Sequence, residues 1–270
     1  MSAAGAEISE LSDLEDLRRL ADLFAVIWGR PVGEPPITSD ILKALAHSGN
    51  YVAGAFAGGR LIGGLVGWLG GTPPAELHMH SHILGVLPGS EARGLGFDLK
   101  QHQRRWCLAR DVKVMEWTTD PLVRRNAYFN LTKLGADAPR YLIDFYGEMR
   151  DGINAGDQSD RLLIRWRLDS HRAEAAAAGT LVEPDVEELR SSGTTAILSV
   201  GLRGEPRLEQ SRDRVLLCQV PDDVVVLRGA NPELAHEWRL ALRHALGRSL
   251  EQDYVITGAP RSGWYVLEKI

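Results

Sequence analysis

The chain has only two cysteines in 270 residues, Cys107 and Cys218, far apart and without a second pair. That excludes a disulfide framework and a four-cysteine zinc site, and it predicts two buried free thiols. A basic excess is missing too: 31 Lys and Arg stand against 36 Asp and Glu, for a formal net charge of -5. Non-specific nucleic-acid binding needs a broad positive field, so nucleic acid is excluded as the expected partner. No long uninterrupted apolar run occurs either. The longest, Tyr51 to Gly71, is rich in glycine and broken by Arg60, which argues against a membrane span. Met1 to Glu7 shows no basic segment followed by an apolar core, so no secretory leader is expected and the expected location is cytoplasmic. What the chain does have is a 44% hydrophobic composition over a length that accommodates one domain and a smaller second one.

Apolar spacing then predicts the elements. Leu14, Leu17, Leu20, Ala21, Phe24 and Ile27 recur at helical intervals, with Ser12 and Glu15 reading as a capping box, and a second helix begins near Ser39. Two apolar runs, 51–57 and 60–68, flank Gly58-Gly59 and predict a hairpin. A strand follows from Glu76 to Val86, a helix from Gly94 to about Arg110, a strand over 112–118, a helix over 122–134, and strands over 140–146 and 162–168. This alternation implies a mixed sheet with helices packed on it, an α/β (α+β) protein. Residues 170–192, Ala-rich and then acidic, read as a linker with some helix. Beyond it, strands are expected at 196–202, 215–220, 224–227, 254–256 and 264–267, with a helix capped by Asn231 and started by Pro232, making a smaller C-terminal α+β unit over 193–270.

The stretch from Val86 to Phe97 ends a strand, turns through Gly89 and Gly94, and opens a helix. The first amides of a helix lack intrahelical partners and carry the positive end of its dipole, so the turn is a candidate anion cradle. A strand-to-helix turn without a ligand is the plainer reading, and order along the chain is what weighs against it. Just before it, His78, His80 and His82 alternate along one strand face with Leu84 and Val86. An imidazole with a pKa of about 6.5 suits a general base near neutral pH. His80 is the first candidate and His82 the second; hydrogen bonding within the fold is the competing role. His-x-His on a strand also chelates metal, but no third ligand is evident, so no metal is assigned. Asp120 is a candidate carboxylate for an acceptor ammonium, or a cap for the helix after Pro121. Trp106, Trp117 and Trp166 read as core, and Arg104, Arg105, Arg124 and Arg125 either meet phosphates or form solvated helix faces.

Taken in order, the hairpin over 51–68, the strand ending at Val86 with Glu91-Ala92-Arg93-Gly94-Leu95-Gly96 behind it, and Asn126-Ala127-Tyr128-Phe129-Asn130-Leu131-Thr132-Lys133-Leu134-Gly135 resemble the GNAT superfamily of acyl-CoA-dependent N-acyltransferases. Trp117 to Leu122, with Ser159-Asp160-Arg161, resembles a subgroup of predicted acyltransferases with a C-terminal extension. The resemblance covers residues 7 to about 168. It implies a GNAT-type, mostly antiparallel sheet in residues 1–169. Acyl-CoA, such as acetyl-CoA, would be the co-substrate, with its pyrophosphate on the loop Glu91, Ala92, Arg93, Gly94, Leu95 and Gly96. Leu84, Gly85, Val86 and Asn126 would lie along the cofactor, and the acceptor would be a primary amine of a small molecule, amino acids included.

Two positions depart from the pattern. Glu91 stands where the family has Gln or Arg, leaving phosphate binding to backbone amides. Leu131 stands where a Tyr commonly protonates the departing thiolate, with Tyr128 and Tyr146 as substitutes. These departures also motivate a second expectation, a non-catalytic module that binds acyl-CoA or scaffolds a partner. The C-terminal unit would close the cleft or make a homodimer contact.

Overall fold

The computed structural model describes residues 5–31, 33–71, 76–89, 93–147 and 157–270. They divide into two compact units, Met1–Trp117 and Thr118–Ile270. Both are mixed α/β, with mostly antiparallel strands flanked by helices.

In the first unit the order is β1 (Glu7–Glu10), α1 (Leu14–Ile27), α2 (Ser39–His47), β2 (Tyr51–Ala57), β3 (Arg60–Gly70), β4 (His78–Val86), α3 (Leu95–Leu108) and β5 (Val114–Thr119), the last crossing into the second unit. The strands lie side by side in that numbering, β1 to β5. β1 to β4 are antiparallel neighbours, and β4 and β5 are parallel, as a helical crossover through α3 requires. α1 buries Leu17, Leu20, Ala21 and Phe24 against Val52, Val66 and Ile83 of the sheet. Its cap is Asp13, whose carboxylate accepts the Glu15 amide at 2.8 Å, and not Ser12 as the capping-box pattern suggests. The glycines of β3 and β4 serve this packing: a Cβ on Gly64 would meet Leu20, and one on Gly85 would meet Trp28 and Ile27.

The second unit holds α4 (Arg124–Ala127), a π-helical turn (Tyr128–Lys133), β6 (Asp137–Leu142), β7 (Arg161–Arg167), α5 (His171–Ala178) and α6 (Val186–Ser191). It continues through β8 (Thr195–Val200), β9 (Pro206–Leu208), β10 (Val215–Gln219), α7 (Val224–Ala230), α8 (Pro232–Leu242), a second π-helical turn (Arg243–Gly247), α9 (Arg248–Glu251), β11 (Tyr254–Gly258) and β12 (Trp264–Lys269). β6 pairs antiparallel with β7. The last five strands form one sheet in the order β11-β12-β10-β8-β9, with β10 and β8 parallel. The stretch 170–192 carries α5 and α6, capped by Ser170 and Asp185.

Two expectations are corrected here. Val224–Ala230 is a helix, not a strand, because Asp223 caps it, accepting the Val225 and Val226 amides at 2.9 and 3.1 Å. The single helix expected over 122–134 is one α-turn followed by the π-turn. Arg172 takes the Leu131 carbonyl at 2.9 Å and Thr132 bonds the Ala259 carbonyl at 3.0 Å, and the ladder widens so that the Leu134 amide reaches back to Phe129. Asn231 and Pro232 do start α8, the Asn231 side chain accepting from the Leu234 amide at 3.1 Å.

Gly135 ends the π-turn at φ +70°, and a Cβ there would lie 2.8 Å from the Arg172 carbonyl oxygen. Backbone strain and a clash with fixed backbone add up, so Gly135→Ala should cost about 2–4 kcal/mol, read as a lower urea midpoint with an unchanged slope. A loss under 0.5 kcal/mol would show that the turn relaxes freely.

Both cysteines are buried and free, and burial pushes the Cys107 thiol up to about 12, which leaves it unreactive at neutral pH. Among the described residues no helix is long and apolar enough to cross a membrane, and no group of three His, Cys, Asp or Glu is placed to hold a metal ion.

Candidate active site

The parallel pairing of β4 and β5 covers Met79 with Met115 and His80 with Glu116, and ends there, although β4 runs on to Val86. β4 departs from regularity at the same place. Its register against β3 passes from Val66–Ile83 to Gly67–Ser81, so His82 is an extra residue, a β-bulge. Beyond His80, β4 has no strand partner on its β5 side among the described residues, which is a place where an extended ligand with amide groups can pair.

The histidines gather on one face at this point. The Trp68 ring from β3 lies 4.9 Å from the His80 ring and 4.6 Å from that of His82, and the two imidazoles are 5.8 Å apart. The alternation read from the sequence survives the bulge: Met79, Ser81 and Ile83 are buried, while His78, His80, Leu84 and Val86 are half-buried and His82 is exposed. His78 faces Glu116 at 3.8 Å. Burial first, then the charges of His82, His78 and Lys100, lower His80 to about 4, with Glu116 opposing weakly. His82, exposed overall but with its ring packed beside Trp68, is lowered as well by partial desolvation. At neutral pH His80 is therefore an unprotonated imidazole, able to accept a proton though weakly basic.

α3 opens on Gly94 at φ +87°, a conformation that favours glycine, and glycine at that position offers the helix no cap of its own. Arg93 and Gly94 are exposed, Leu95 is buried, and Gly96 faces Leu84, a Cβ there lying 3.6 Å from the Leu84 methyl. Glu91 and Ala92, expected to hold phosphate, lie outside the described residues.

The remaining candidates belong to the second unit. Asp120 is not open to a ligand ammonium: Oδ1 caps the Leu122 amide at 2.9 Å, Arg239 donates to both oxygens at 2.7 and 2.9 Å, and Arg228 donates to Oδ2 at 2.6 Å. Burial alone would raise this carboxyl, but the hydrogen bonds and charge of Arg239, then those of Arg228, outweigh it and hold the group well below the usual carboxylate range. Asp157 completes the cluster, bound to Arg239 at 2.9 Å and to Arg228 at 3.3 Å. Beside it Asp160 takes Arg243 at 2.7 Å and the Tyr141 hydroxyl at 2.7 Å. The sequence shows Asp120 and Asp160 as polar positions near a motif, but nothing in it points to partners more than eighty residues away.

Asn126 is half-buried, and its side-chain amide makes no hydrogen bond among the described residues. Tyr128 lines a cavity of about 440 Å³ with Arg124, Arg125 and Asp222, and the Arg261 guanidinium lies 4.4 Å over its ring. Tyr146 bonds Thr118 through its hydroxyl at 2.9 Å, and Leu131 is wholly buried.

No family model and no curated protein matches the chain. Among solved structures it is similar to acetyltransferases. An aminoglycoside 6'-acetyltransferase type Ii is 15% identical at a TM-score of 0.47, over 61% of this chain and 99% of that one. Arabidopsis thaliana Naa50, in complex with the bisubstrate analogue CoA-Ac-MVNAL, is 16% identical at 0.43, over 60% of this chain and 97% of its own. An N-acetyltransferase from Staphylococcus aureus Mu50 is 14% identical at 0.45, over 61% and 99%.

Proposed function

We propose that the chain is an acyl-CoA-dependent N-acyltransferase of the GNAT type, moving an acetyl or other short acyl group to a primary amine of a small molecule, amino acids included. The observation that carries this reading is the end of β4–β5 pairing at His80 and Glu116, beside a bulge at His82 and ahead of a helix, α3, that opens on Gly94. An acyl-pantetheine arm can pair with the edge of β4 between Ser81 and Val86, and the turn at Gly94 and Gly96, at the positive end of the α3 dipole, can meet the pyrophosphate. The acceptor amine attacks the thioester carbonyl, the C–N bond forms, the C–S bond breaks and the thiolate leaves. His80, unprotonated, takes the proton from the nitrogen, and His82 beside it is the alternative base. Asn126 and Tyr128 stand in the second unit as candidates for the cofactor side and for protonating the thiolate. In functional terms residues 1–169 are the acyltransferase domain, 170–192 the linker and 193–270 the accessory unit, a division that need not follow the two compact units.

Leu131, buried where the resemblance places a proton donor, favours a second reading, a module that binds acyl-CoA without turning it over. Both readings are tested together. At about a hundred times its dissociation constant, acetyl-CoA should add about 2.7 kcal/mol to stability, seen as a raised melting temperature, and pooled primary amines should release free thiol from it. Stabilisation without thiol release supports the module; no shift and no binding heat across a panel of acyl-CoAs overturns both.

A further inference from the structure

Lys100, in the second turn of α3, is only 3% exposed. Its ammonium donates to Ser81 Oγ at 2.8 Å, lies 3.8 Å from Met115 Sδ and sits 3.5 Å over the Trp117 ring. Ser81 in turn donates to Gln103 Oε1 at 2.8 Å, which leaves its lone pairs for the lysine. None of these partners carries a charge. A buried ammonium without a carboxylate costs stability, and a methionine of similar length would fill the space at no such cost. A core position that breaks this rule, set against a candidate site, marks function more than packing.

The place is specific. Ser81 is the last β4 residue in register before the bulge at His82, and Met115 and Trp117 flank Glu116, where pairing with β4 ends. α3 presses close here as well: a Cβ on Gly67 would lie 2.7 Å from both Gln103 Nε2 and the His80 carbonyl oxygen.

We propose that Lys100 is a positioning residue of the acyl-transfer site, clamping Ser81 so that the bulge presents His80 and His82 beside Trp68, and placing a positive charge beneath the end of the β4–β5 pairing where a thioester carbonyl becomes an oxyanion. The inference rests on the acyltransferase reading and deepens it. The titratable groups linked to the ammonium are Cys107 on its own helix and His80 on β4, and His80 is in turn influenced by His78 and His82 on β4 and by Glu116 on β5. Burial lowers Lys100 well below its ordinary range, with Cys107 a lesser opposing influence. The charge is therefore lost at a lower pH than for a solvated lysine, and the rate should decline there.

The test compares the full chain with Lys100→Met, Lys100→Arg and Ser81→Ala. Lys100→Met should hold or raise the melting temperature, bind acetyl-CoA within about twofold, lose about tenfold or more in kcat, and abolish the alkaline decline of kcat. Lys100→Arg should keep part of the rate and move that decline upward, and Ser81→Ala should lower kcat without moving it. An unchanged kcat and pH profile in Lys100→Met, or a rate loss that simply follows a lowered melting temperature, overturns the proposal. A readout independent of turnover is the NMR titration of His80, which should move toward the ordinary imidazole value in Lys100→Met. An unmoved titration overturns the clamp and its charge even if the wild-type chain transfers no acyl group, whereas absence of turnover alone bears only on the acyltransferase reading.

Discussion

Arg239→Met should lower the unfolding free energy by about 3–5 kcal/mol, the cost of leaving a buried carboxylate short of its partner. Arg239 is fully buried and binds both Asp120 and Asp157, whose side chains are 6% and 4% exposed. Two carboxylates and two guanidiniums meet in this cluster, with the His236 ring 3.6 Å from Asp157, and removing Arg239 leaves Arg228 as the guanidinium that bridges both acids. Urea denaturation followed by far-UV circular dichroism measures the loss. The double variant Arg239→Met with Asp120→Asn restores the balance at Asp157 and Arg228, so it should recover part of the stability rather than add a second penalty. A single variant within 1 kcal/mol of wild type, or a double variant whose losses simply add, would show that the cluster is solvated and loosely held. Its pH dependence has a definite sense. The Asp120 carboxyl is held low in the folded state, so its contribution is complete above the unfolded value of about 3.9 and is lost as pH falls through that value toward the folded one. Arg239→Met should thus differ from wild type most at pH 5 and above.

His80→Gln should reduce kcat/KM for acyl transfer by about a hundredfold to a thousandfold, since glutamine keeps the size and one hydrogen-bonding atom of the imidazole but accepts no proton. The wild-type rate should also hold to lower pH than a solvated histidine allows. With His80 at about 4, the acid limb of kcat/KM falls near pH 4, and a limb near 6.5 would mean that another group governs it. A matching effect belongs to folding. The unfolded chain protonates this histidine near 6.5 and the folded chain does not until about 4, so stability declines as pH falls across that window, and His80→Gln should flatten the decline. His82→Gln should cost less; a larger loss from His82 than from His80 would move the base to the bulged residue.

How much of this was legible in the sequence depended on range. Period-2 and period-3.6 patterns placed β2, β3, β4 and α3 because their determinants lie within a few residues of one another, as with Gly58-Gly59 between apolar runs. Val224-Val225-Val226 misled because β-branched residues argue for a strand, while one aspartate before them supplied the cap that makes a helix. The π-turn at Tyr128 was hidden for the opposite reason: its cause is Arg172 and the Ala259 carbonyl, residues far along the chain. At the candidate site the alternation of His78, His80 and His82 was readable, but the bulge is a register shift against β3, and no local pattern announces it. No local pattern sets Lys100 apart from a helix-surface lysine. Only packing of α3 onto the sheet shows that its ammonium is enclosed.

The Asp120 cluster bears on how the protein comes off the ribosome and on how it can be cut. Asp120, Asp157 and Asp160 are synthesised well before Arg228, Arg239 and Arg243, the cations that neutralise them. Until the last forty or so residues emerge, the earlier part of the chain carries three carboxylates destined for burial without the guanidiniums that bind them in the folded chain. A fragment ending near residue 169 inherits the same deficit, so the C-terminal segment acts toward the earlier one as a built-in chaperone would, and any shorter working version must first replace those acids.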